Sequence, residues 1–183
     1  MPENEARIAR WDQKFLEVCE TLAKWSTCKS RKIGAVLVRN NTIVSTGYNG
    51  PPRNVPHCGE PGSIHQVTSE VYGIYKDKTV CPRKALGYNS GEGLHLCPAA
   101  HAEDNAITNA ARLGVPTVGT TIYMNCGVPC RECLKRIINA GILEIVCVNP
   151  DDWYDNLSKF LVKEAHISIR AFLREPEETN VAI

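Results

Sequence analysis

The order of hydrophobic patterns constrains the fold of this chain more than any other feature. An apolar stripe at three- and four-residue spacing predicts a first helix, and two short β-branched runs after it predict neighbouring strands. Helix and strand patterns then alternate three times. The resulting order α-β-β-α-β-α-β-α-β predicts an α/β chain, with a mixed five-stranded sheet and helices on its faces.

Local signals set the boundaries of these elements. Asn40 and Asn41 separate the two β-branched runs, and since Asn tolerates the positive φ of a tight turn, we expect a hairpin there. Pro129 and Gly141 mark the start and end of one helix, and Gly114 ends another. The first stripe contains Trp11, Phe15, Val18, Cys19, Leu22 and Trp25. The later helices are predicted near residues 100–113, 130–140 and 153–165, and the strands at IGAVLVR, TIVSTGY, TTIYM, ILEIVCV and ISIRAFL.

Regular patterns are absent from Asn49 to about residue 93. Prolines crowd the start of this stretch, and glycines recur through the rest of it. A structureless segment of this length is unusual inside a domain unless something orders it. A metal could supply that order, because the segment is rich in potential ligands. These are His57, Cys58, His65, Cys81 and His95, with Cys97 just beyond.

Composition limits the setting and the partners. The 183 residues fit one domain, and 21 basic against 20 acidic residues leave a formal net charge of +1. That balance argues against a broad nucleic-acid-binding surface, although a small anionic ligand needs only one or two well-placed arginines.

No stretch approaches the roughly 20 apolar residues that span a bilayer, and the polar start does not resemble a signal peptide. The predicted setting is therefore the cytoplasm.

Nine cysteines are an unusual number for such a chain. In a reducing compartment, clustered cysteines more often bind metal than form disulfides. An odd count also cannot pair completely within one chain. Zinc is therefore the expected metal.

Two short strings carry the candidate chemistry. They are His101-Ala102-Glu103 and PCREC, which runs from Pro129 to Cys133. Each is weak alone, because a lone Cys-x-x-Cys can be a redox dithiol and a His near a helix start is usually structural. Together they are specific, since each opens a predicted helix beside a strand. His-x-Glu followed by Pro-Cys-x-x-Cys is the established signature of zinc-dependent base deaminases.

The residue types suit a catalytic metal site. Cys130 and Cys133 are three apart, so both thiols project from one face of a first helical turn. A helix N-terminus favours the thiolate that zinc binds, and neutral His101 supplies a third ligand. Three protein ligands leave a fourth position for water, whose pKa zinc lowers to about 7.

Glu103 is the candidate general acid/base. Two positions after His101, it need not bind the metal, yet it can lie beside the bound water. It would take a proton from that water, pass it to the ring nitrogen and assist the departure of ammonia. The alternative is a glutamate that only interacts favourably with the helix dipole.

The chain resembles the deoxycytidylate (dCMP) deaminases of the cytidine deaminase superfamily. The matching strings run from about Cys28 to Val148 in the family's order, and they are STCKSRKIGAVLV, STGYNGPP, VPHC, CPRKALGYNSGEGLHLC, HAEDNAI, PCREC and INAGI. The resemblance implies a three-layer α-β-α fold in a single zinc-dependent domain over residues 1–183, with an irregular insertion at about residues 59–93 and a loose tail at about residues 175–183. It implies hydrolytic deamination of dCMP to dUMP and ammonia, in pyrimidine deoxynucleotide metabolism.

The resemblance also implies three substrate contacts. Asn49 matches the family's sugar-binding Asn, Arg112 matches a position implicated in phosphate recognition, and Tyr123 resembles the family's pyrimidine-facing aromatic. The residues themselves leave simpler alternatives open. Asn49 could only form a turn, Arg112 could only satisfy helix C-terminal carbonyls, and Tyr123 could belong to the core.

One departure from the family pattern concerns the loop before Cys130. The family usually has Tyr-x-Thr-x-x-Pro-Cys, whereas here Tyr123 and Cys130 are one residue further apart, with Asn125 and Cys126 where Thr is common. That loop borders the base in the family. A modified pyrimidine, or the triphosphate, is therefore an alternative substrate.

Some family members hold a second, structural zinc, and the resemblance implies one here. Its preferred ligands occupy matching family strings, and they are Cys28, Cys58, Cys81 and Cys97. His57 or His95 could substitute for one of them. This zinc would tie the irregular segment beside the active site, and the alternative is a set of unligated buried thiols.

Other functions are also open at this point. A base in RNA or DNA is a possible target, but a net charge of +1 offers little basic surface for a polyphosphate track. A zinc-stabilised nucleotide-binding or redox module without activity would have no use for Glu103.

Members of the resembling family are usually hexamers, activated by dCTP and inhibited by dTTP, and the resemblance suggests both properties here.

Overall fold

The structure follows the predicted alternation of elements and adds two short helices. The computed structural model describes residues 3–72, 77–89 and 91–173. Its helices are α1 (Glu3–Trp25), α2 (Ile64–Tyr72), α3 (Pro82–Ala85), α4 (Ala102–Leu113), α5 (Arg131–Asn139) and α6 (Asn156–Glu164), and a 3-10 turn spans Leu94–Leu96. Its strands are β1 (Gly34–Arg39), β2 (Thr42–Tyr48), β3 (Thr121–Met124), β4 (Glu144–Cys147) and β5 (Ser168–Ala171). The predicted loose tail at about residues 175–183 lies outside the described residues.

The five strands form one mixed sheet in the order β2-β1-β3-β4-β5. Strand β1 is antiparallel to both β2 and β3, while β3, β4 and β5 run parallel to one another. Asn40 and Asn41 form the hairpin turn with φ values of 50° and 57°, as predicted. The mixed five-stranded sheet is thereby confirmed.

Side chains of the central strands alternate between two helical layers. Leu37, Ile122 and Ile145 pack with buried residues of α4, α5 and α6 on one face of the sheet. Val36 and Val146 pack with α1 on the other face. The arrangement is the three-layer α-β-α architecture. None of the described helices is both long and apolar enough to cross a bilayer.

Two sequence predictions about individual segments were wrong. The stretch between residues 59 and 93 is not structureless, since α2 and α3 lie within it. Trp25 does not belong to the buried stripe of α1, because it is 61% exposed and packs edge-on against Tyr48, with ring centroids 6.0 Å apart. The buried face of α1 instead includes Asp12, whose carboxylate accepts a hydrogen bond from Arg170 Nη2 at 3.1 Å and one from the backbone N–H of Leu173 at 2.8 Å.

Helix α4 lies unusually close to strand β2, and this contact positions the start of the helix. A Cβ atom on Gly47 would lie 2.3 Å from the carbonyl oxygen of Ala102 and 2.4 Å from the backbone nitrogen of Ala106. Asn105 Nδ2 and Asn109 Nδ2 donate to carbonyl oxygens of the edge strand at 2.7 Å and 2.9 Å. Only glycine permits this separation between strand and helix.

We predict that Gly47→Ala destabilises the protein because the added methyl group meets backbone atoms that cannot rotate away. The free energy of unfolding should fall by about 1–3 kcal/mol, as for other overpacked sites. Gly50→Ala is the matched control, since no atom lies within 4 Å of its added Cβ. Denaturant unfolding of the zinc-loaded protein measures both changes. Equal stability of the two variants would contradict the close packing of α4 on β2.

Candidate active site

Three potential metal ligands meet where α4 and α5 begin. His101 is the N-cap residue of α4, Cys130 is the N-cap residue of α5, and Cys133 lies in the first turn of α5. The Nδ1 atom of His101 lies 3.4 Å from the Sγ atoms of both Cys130 and Cys133. All three ligand atoms lie within 4.8 Å of one another.

These distances fit a tetrahedral zinc ion. With Zn–S bonds of about 2.3 Å and Zn–N bonds of about 2.0–2.1 Å, tetrahedral angles separate a sulfur from a nitrogen ligand by about 3.6 Å. Two thiols and one imidazole are also the donor set expected for a zinc site with one open position. Over the ranges that the structure describes, no other group of His, Cys, Asp or Glu side chains is as closely arranged for a metal.

The start of α5 differs from the sequence prediction by one residue. Helix α5 begins at Arg131, so Pro129 precedes the N-cap residue and does not occupy the first helical position. Hydrogen bonding by Cys133 and His101 lowers the pKa of the Cys130 thiol to about 4. The same interaction with Cys130, together with burial, raises the pKa of Cys133. Thiolate, the form that zinc binds, is therefore favoured at Cys130.

Glu103 lies beside this cluster in the first turn of α4. It is only 4% exposed, and it lines the same cavity as His101 and Cys130. Burial raises the pKa of its carboxyl group, while the charge of His101 lowers it. A buried carboxyl with a raised pKa is suited to accept a proton and release it again near neutral pH.

His101, Cys130 and Glu103 form part of the wall of a cavity of about 150 Å³. The lining comes from the segment before β1, from Asn49 after β2, from the insertion and the start of α4, and from the segments that follow the carboxyl ends of β3 and β4. The lining includes Ser30, Arg31, Ile33, Asn49, Arg83, Leu94, Cys97, Cys126, Val128, Asp152 and Tyr154. The cavity thus has a metal-binding part, apolar walls and two arginines.

Asn49 lines the cavity as predicted for a substrate-binding residue, but its amide group also has a structural task. Its Oδ1 accepts a hydrogen bond from the backbone N–H of Ile33 at 2.9 Å, and its Nδ2 donates to the carbonyl of Arg31 at 2.8 Å. An amide side chain offers two donors and two acceptor positions, so one of each is left for a ligand. Asn49 therefore holds the segment that carries Arg31 against the end of β2.

The structure does not bring Arg112 to the cavity. Arg112 is exposed in the last turn of α4, whereas His101 precedes the first turn of the same helix. Eleven residues at 1.5 Å per residue separate the two positions by about 17 Å along the helix axis. Within one chain, the predicted phosphate contact of Arg112 is therefore not formed.

The structure also does not bring Tyr123 to the cavity. Tyr123 projects from β3 toward the α1 layer, where its ring lies 4.7 Å from that of Phe15 and 5.8 Å from that of Phe172. Its neighbours Ile122 and Met124 point to the opposite face, which carries α4 and α5. Because side chains alternate along a strand, Tyr123 lies in the core. The structure therefore does not place Tyr123 where it could make the expected pyrimidine contact.

Sequence reasoning missed Arg31, Arg83 and Tyr154 as cavity residues. Tyr154 follows β4, and in sheets with parallel strands the ligand commonly binds outside their carboxyl ends. From the sequence alone, this rule would have identified Tyr154 as a candidate cavity residue. Arg31 lies in an irregular segment and Arg83 in the four-residue helix α3, and for both only the fold determines which side chains face the cavity.

The four cysteines proposed for a second zinc lie together. Cys28, Cys58, Cys81 and Cys97 line one small cavity of about 10 Å³ next to the larger one. Burial raises the pKa of Cys58 to about 11, and the charges of the other three cysteines act in the same direction. The proposed substitutes are engaged elsewhere, since His57 Nδ1 contacts Thr27 Oγ1 and His95 packs edge-on against Tyr88.

Comparison with known proteins agrees with this site. A family model described as "Cytidine and deoxycytidylate deaminase zinc-binding region" matches residues 9–149. The chain belongs to the cytidine and deoxycytidylate deaminase family. The matched span contains His101, Glu103, Cys130 and Cys133, so the family's zinc-binding region coincides with the cluster of ligand atoms.

Relatives that are named deoxycytidylate deaminase match most of this chain. The chain is 32% identical over 172 residues to a deoxycytidylate deaminase of Schizosaccharomyces pombe, covering 93% of this chain and 46% of that protein. It is 30% identical over 141 residues to a deoxycytidylate deaminase of Mycobacterium phage D29, covering 74% of this chain and 92% of that protein. The chain therefore spans less than half the length of the S. pombe protein.

The fold is similar to that of a solved deaminase. The crystal structure of dCMP deaminase from the cyanophage S-TIM5 in complex with dCMP and dUMP matches with a TM-score of 0.60 and 20% sequence identity. The match covers 87% of this chain and 94% of that chain. At this identity the likeness establishes the fold, and it confirms the predicted cytidine-deaminase-like architecture.

We predict that Cys130→Ser loses one zinc ion per chain, because a serine hydroxyl is a poor replacement for a thiolate ligand. Cys126→Ser is the matched control, since Cys126 lines the same cavity without belonging to the ligand cluster. Metal analysis of both purified variants checks the result. A full zinc content in Cys130→Ser, or an equal loss in Cys126→Ser, would contradict the assigned ligand set.

Proposed function

We propose that this protein hydrolyses deoxycytidylate to deoxyuridylate and ammonia. The observation that carries the proposal is a buried glutamate, Glu103, that shares one cavity wall with a His-Cys-Cys ligand cluster. A structural zinc site has no use for such a group, whereas hydrolytic deamination needs one residue that transfers protons several times. Relatives named deoxycytidylate deaminase, similar over most of this chain, support the choice of substrate.

The proton transfers fall to Glu103. Zinc held by His101, Cys130 and Cys133 would supply a water molecule whose pKa is lowered to about 7. Glu103 would accept one proton from this water and deliver it to N3 of the pyrimidine ring, while the water oxygen forms a bond to C4. It then carries the second proton to the exocyclic nitrogen, so the C4–N bond breaks, ammonia leaves and the water oxygen stays on C4.

The shape and charge of the cavity favour a free nucleotide over a base in a polymer. Its volume is about 150 Å³, and its lining contains two arginines rather than an extended basic track. Asn49 retains one donor and one acceptor position there, and we propose that these contact the deoxyribose. Cys126 and Val128 also line the cavity, so the longer loop before Cys130 borders the ligand site and can influence substitution on the base.

Tyr154 replaces Tyr123 as the aromatic residue proposed to face the pyrimidine. Burial raises the pKa of its phenol, and the charges that act on it include those of Arg31, Cys130 and Glu103. Tyr154 lines the same cavity as Glu103 and Cys130, so it lies beside the space proposed for the nucleotide. Aromatic side chains stack on pyrimidine bases through their flat apolar faces.

The wider properties implied by the family resemblance are proposals as well. We propose a single deaminase domain over residues 1–183, a cytoplasmic location, and assembly into a hexamer activated by dCTP and inhibited by dTTP. The shared sheet and the two hydrophobic clusters that cover its faces support one domain. Thiol ligands favour a reducing setting.

We further propose that Cys28, Cys58, Cys81 and Cys97 bind a second, structural zinc. Their common cavity supports this, because four cysteines from distant parts of the chain line it together. Such an ion ties the start of β1 to the insertion that contains α2 and α3.

The test of the proposed function is ammonia release by the zinc-loaded protein from a substrate panel. We expect kcat/KM to be highest for dCMP among dCMP, dCTP, CMP, deoxycytidine, 5-substituted dCMP and a cytosine-containing oligonucleotide. Preference for dCTP or a 5-substituted nucleotide would change the substrate while keeping the chemistry. Release from the oligonucleotide alone, or from no member of the panel, would contradict the proposal.

Glu103→Gln is the companion variant in the same assay. It should keep its zinc and fold, yet lose about 10²–10⁴-fold or more in kcat, since the amide cannot transfer protons. Glu132→Gln serves as the control, because Glu132 is exposed on α5 and pairs with Lys135 at 2.9 Å. Activity of Glu103→Gln within tenfold of the parent would remove Glu103 from the mechanism.

We predict two zinc ions per chain, which respond separately to mutation. Cys81→Ser should lose one ion and keep the other, and it should be cleaved faster by proteases between residues 59 and 93, because the insertion loses its anchor. Cys126→Ser should keep both ions. Metal analysis and limited proteolysis provide the measurements. One zinc per chain in the parent protein would leave only the His-Cys-Cys site.

A further inference from the structure

Arg83 is a buried cation that forms no ion pair within residues 3–72, 77–89 and 91–173. It lies in α3 within the insertion, and its residue is only 9% exposed. Its Nη1 donates to the carbonyl oxygen of Glu92 at 2.7 Å, while its buried Nε has no hydrogen-bond partner within residues 3–72, 77–89 and 91–173. The ion pairs formed over the same ranges do not include Arg83.

Such an arrangement is costly unless a ligand completes it. The guanidinium group remains charged at all ordinary pH values, so Arg83 cannot neutralise itself by losing a proton. A buried donor without a partner costs about 1–3 kcal/mol, and a buried charge without compensation costs more. An anion that reaches the guanidinium would remove both costs.

The cavity provides the route for that anion. Arg83 lines the same cavity as His101 and Glu103, so a ligand bound at the metal cluster extends through the space that Arg83 borders. Arg31 and Ser30 also line it, and Asn49 fixes the carbonyl of Arg31 through a 2.8 Å hydrogen bond. The planar fork of an arginine is well suited to bind a phosphate group, because its charge-assisted hydrogen bonds can be bidentate.

We propose that Arg83 binds the 5′-phosphate of the nucleotide, taking the role that the sequence suggested for Arg112. Nη1 is held by the carbonyl oxygen of Glu92, whereas Nε is a donor without a partner within the described residues, and we assign it to a phosphate oxygen. The inference rests on the proposed deaminase function and adds the group that distinguishes a nucleotide from a nucleoside. Phosphate recognition then belongs to the insertion, while the proton chemistry belongs to α4 and α5.

A purely structural role of Arg83 is the competing explanation. The charge of Arg83 also acts on the Cys97 thiol and opposes the rise in its pKa caused by burial. If Arg83 served only to balance the cysteines of the insertion, its loss would affect zinc content and would impair nucleotide and nucleoside equally. A phosphate contact predicts a loss confined to the nucleotide.

The experiment compares kcat/KM for dCMP and for deoxycytidine in Arg83→Met and Arg112→Met. A charged hydrogen bond of about 1.5–3 kcal/mol corresponds to about 10–150-fold. We expect Arg83→Met to lose this factor on dCMP and less than about threefold on deoxycytidine, with two zinc ions retained. Arg112→Met, which removes an exposed arginine far from the cluster, should stay within about twofold on both.

Equal losses on the two substrates for Arg83→Met would overturn the proposal and leave Arg83 a structural residue. A selective loss on dCMP in Arg112→Met alone would also overturn it. If Arg83→Met fails to fold, the same comparison is made with Arg83→Lys. This variant keeps the charge but lacks the second donor of the arginine fork. Arg83→Lys should then show a smaller loss that is still confined to dCMP.

A binding measurement separates this inference from the proposed function. Inorganic phosphate should raise the Tm of the parent protein, and Arg83→Met should show no such rise, whether or not dCMP is turned over. A phosphate effect without any deamination would reject the function and keep the anion site. Deamination of dCMP with an equal phosphate effect in both proteins would keep the function and reject the role of Arg83.

Discussion

The convergence of two helix N-termini governs the site. One ring nitrogen from the start of α4 lies 3.4 Å from each of two sulfurs from the start of α5, although 28 residues lie between His101 and Cys130. Ligands that must approach so closely allow little freedom in how α4 and α5 lie on the sheet. Glu103, in the first turn of α4, is brought to the cavity by the same constraint, which places the candidate ligands and the candidate proton-transfer residue in one structural unit.

The position of α4 depends in turn on small residues and amide side chains. Ala102, Ala106 and Ala110 are fully buried on the face toward the sheet, and Gly47 of β2 leaves room for the helix backbone. The carbonyls of the edge strand, which have no neighbouring strand, accept hydrogen bonds from Asn105 and Asn109 instead. Since Asn49 directly follows β2 and its amide holds the segment before β1, one packing contact positions both the candidate metal cluster and the mouth of the cavity.

The insertion that contains α2 and α3 contributes two further groups of residues near the active site. Four cysteines gather in a small cavity next to the active site, and Arg83 from α3 borders the larger one. The proposed phosphate contact would therefore depend on the proposed structural zinc, because the ion would order the segment that carries the arginine. In these proposals, chemistry and nucleotide recognition come from different parts of the chain, and the cavity is the place where they meet.

Local pattern alone determined the order of the elements, the hairpin at Asn40 and Asn41 and the three ligands with Glu103, because hydrophobic period, turn chemistry and motif spacing are encoded between near neighbours. Tertiary structure decided the rest. Tyr123 belongs to the core because alternation along β3 turns it toward α1, and Arg112 misses the cavity because it lies at the far end of α4 from His101. Arg83 reaches the cavity from the four-residue helix α3 and Tyr154 from the loop after β4, and neither segment is long enough to show a hydrophobic period. Which loop side chains face a common space depends on how the sheet brings the ends of its strands together, and no local pattern contains that information.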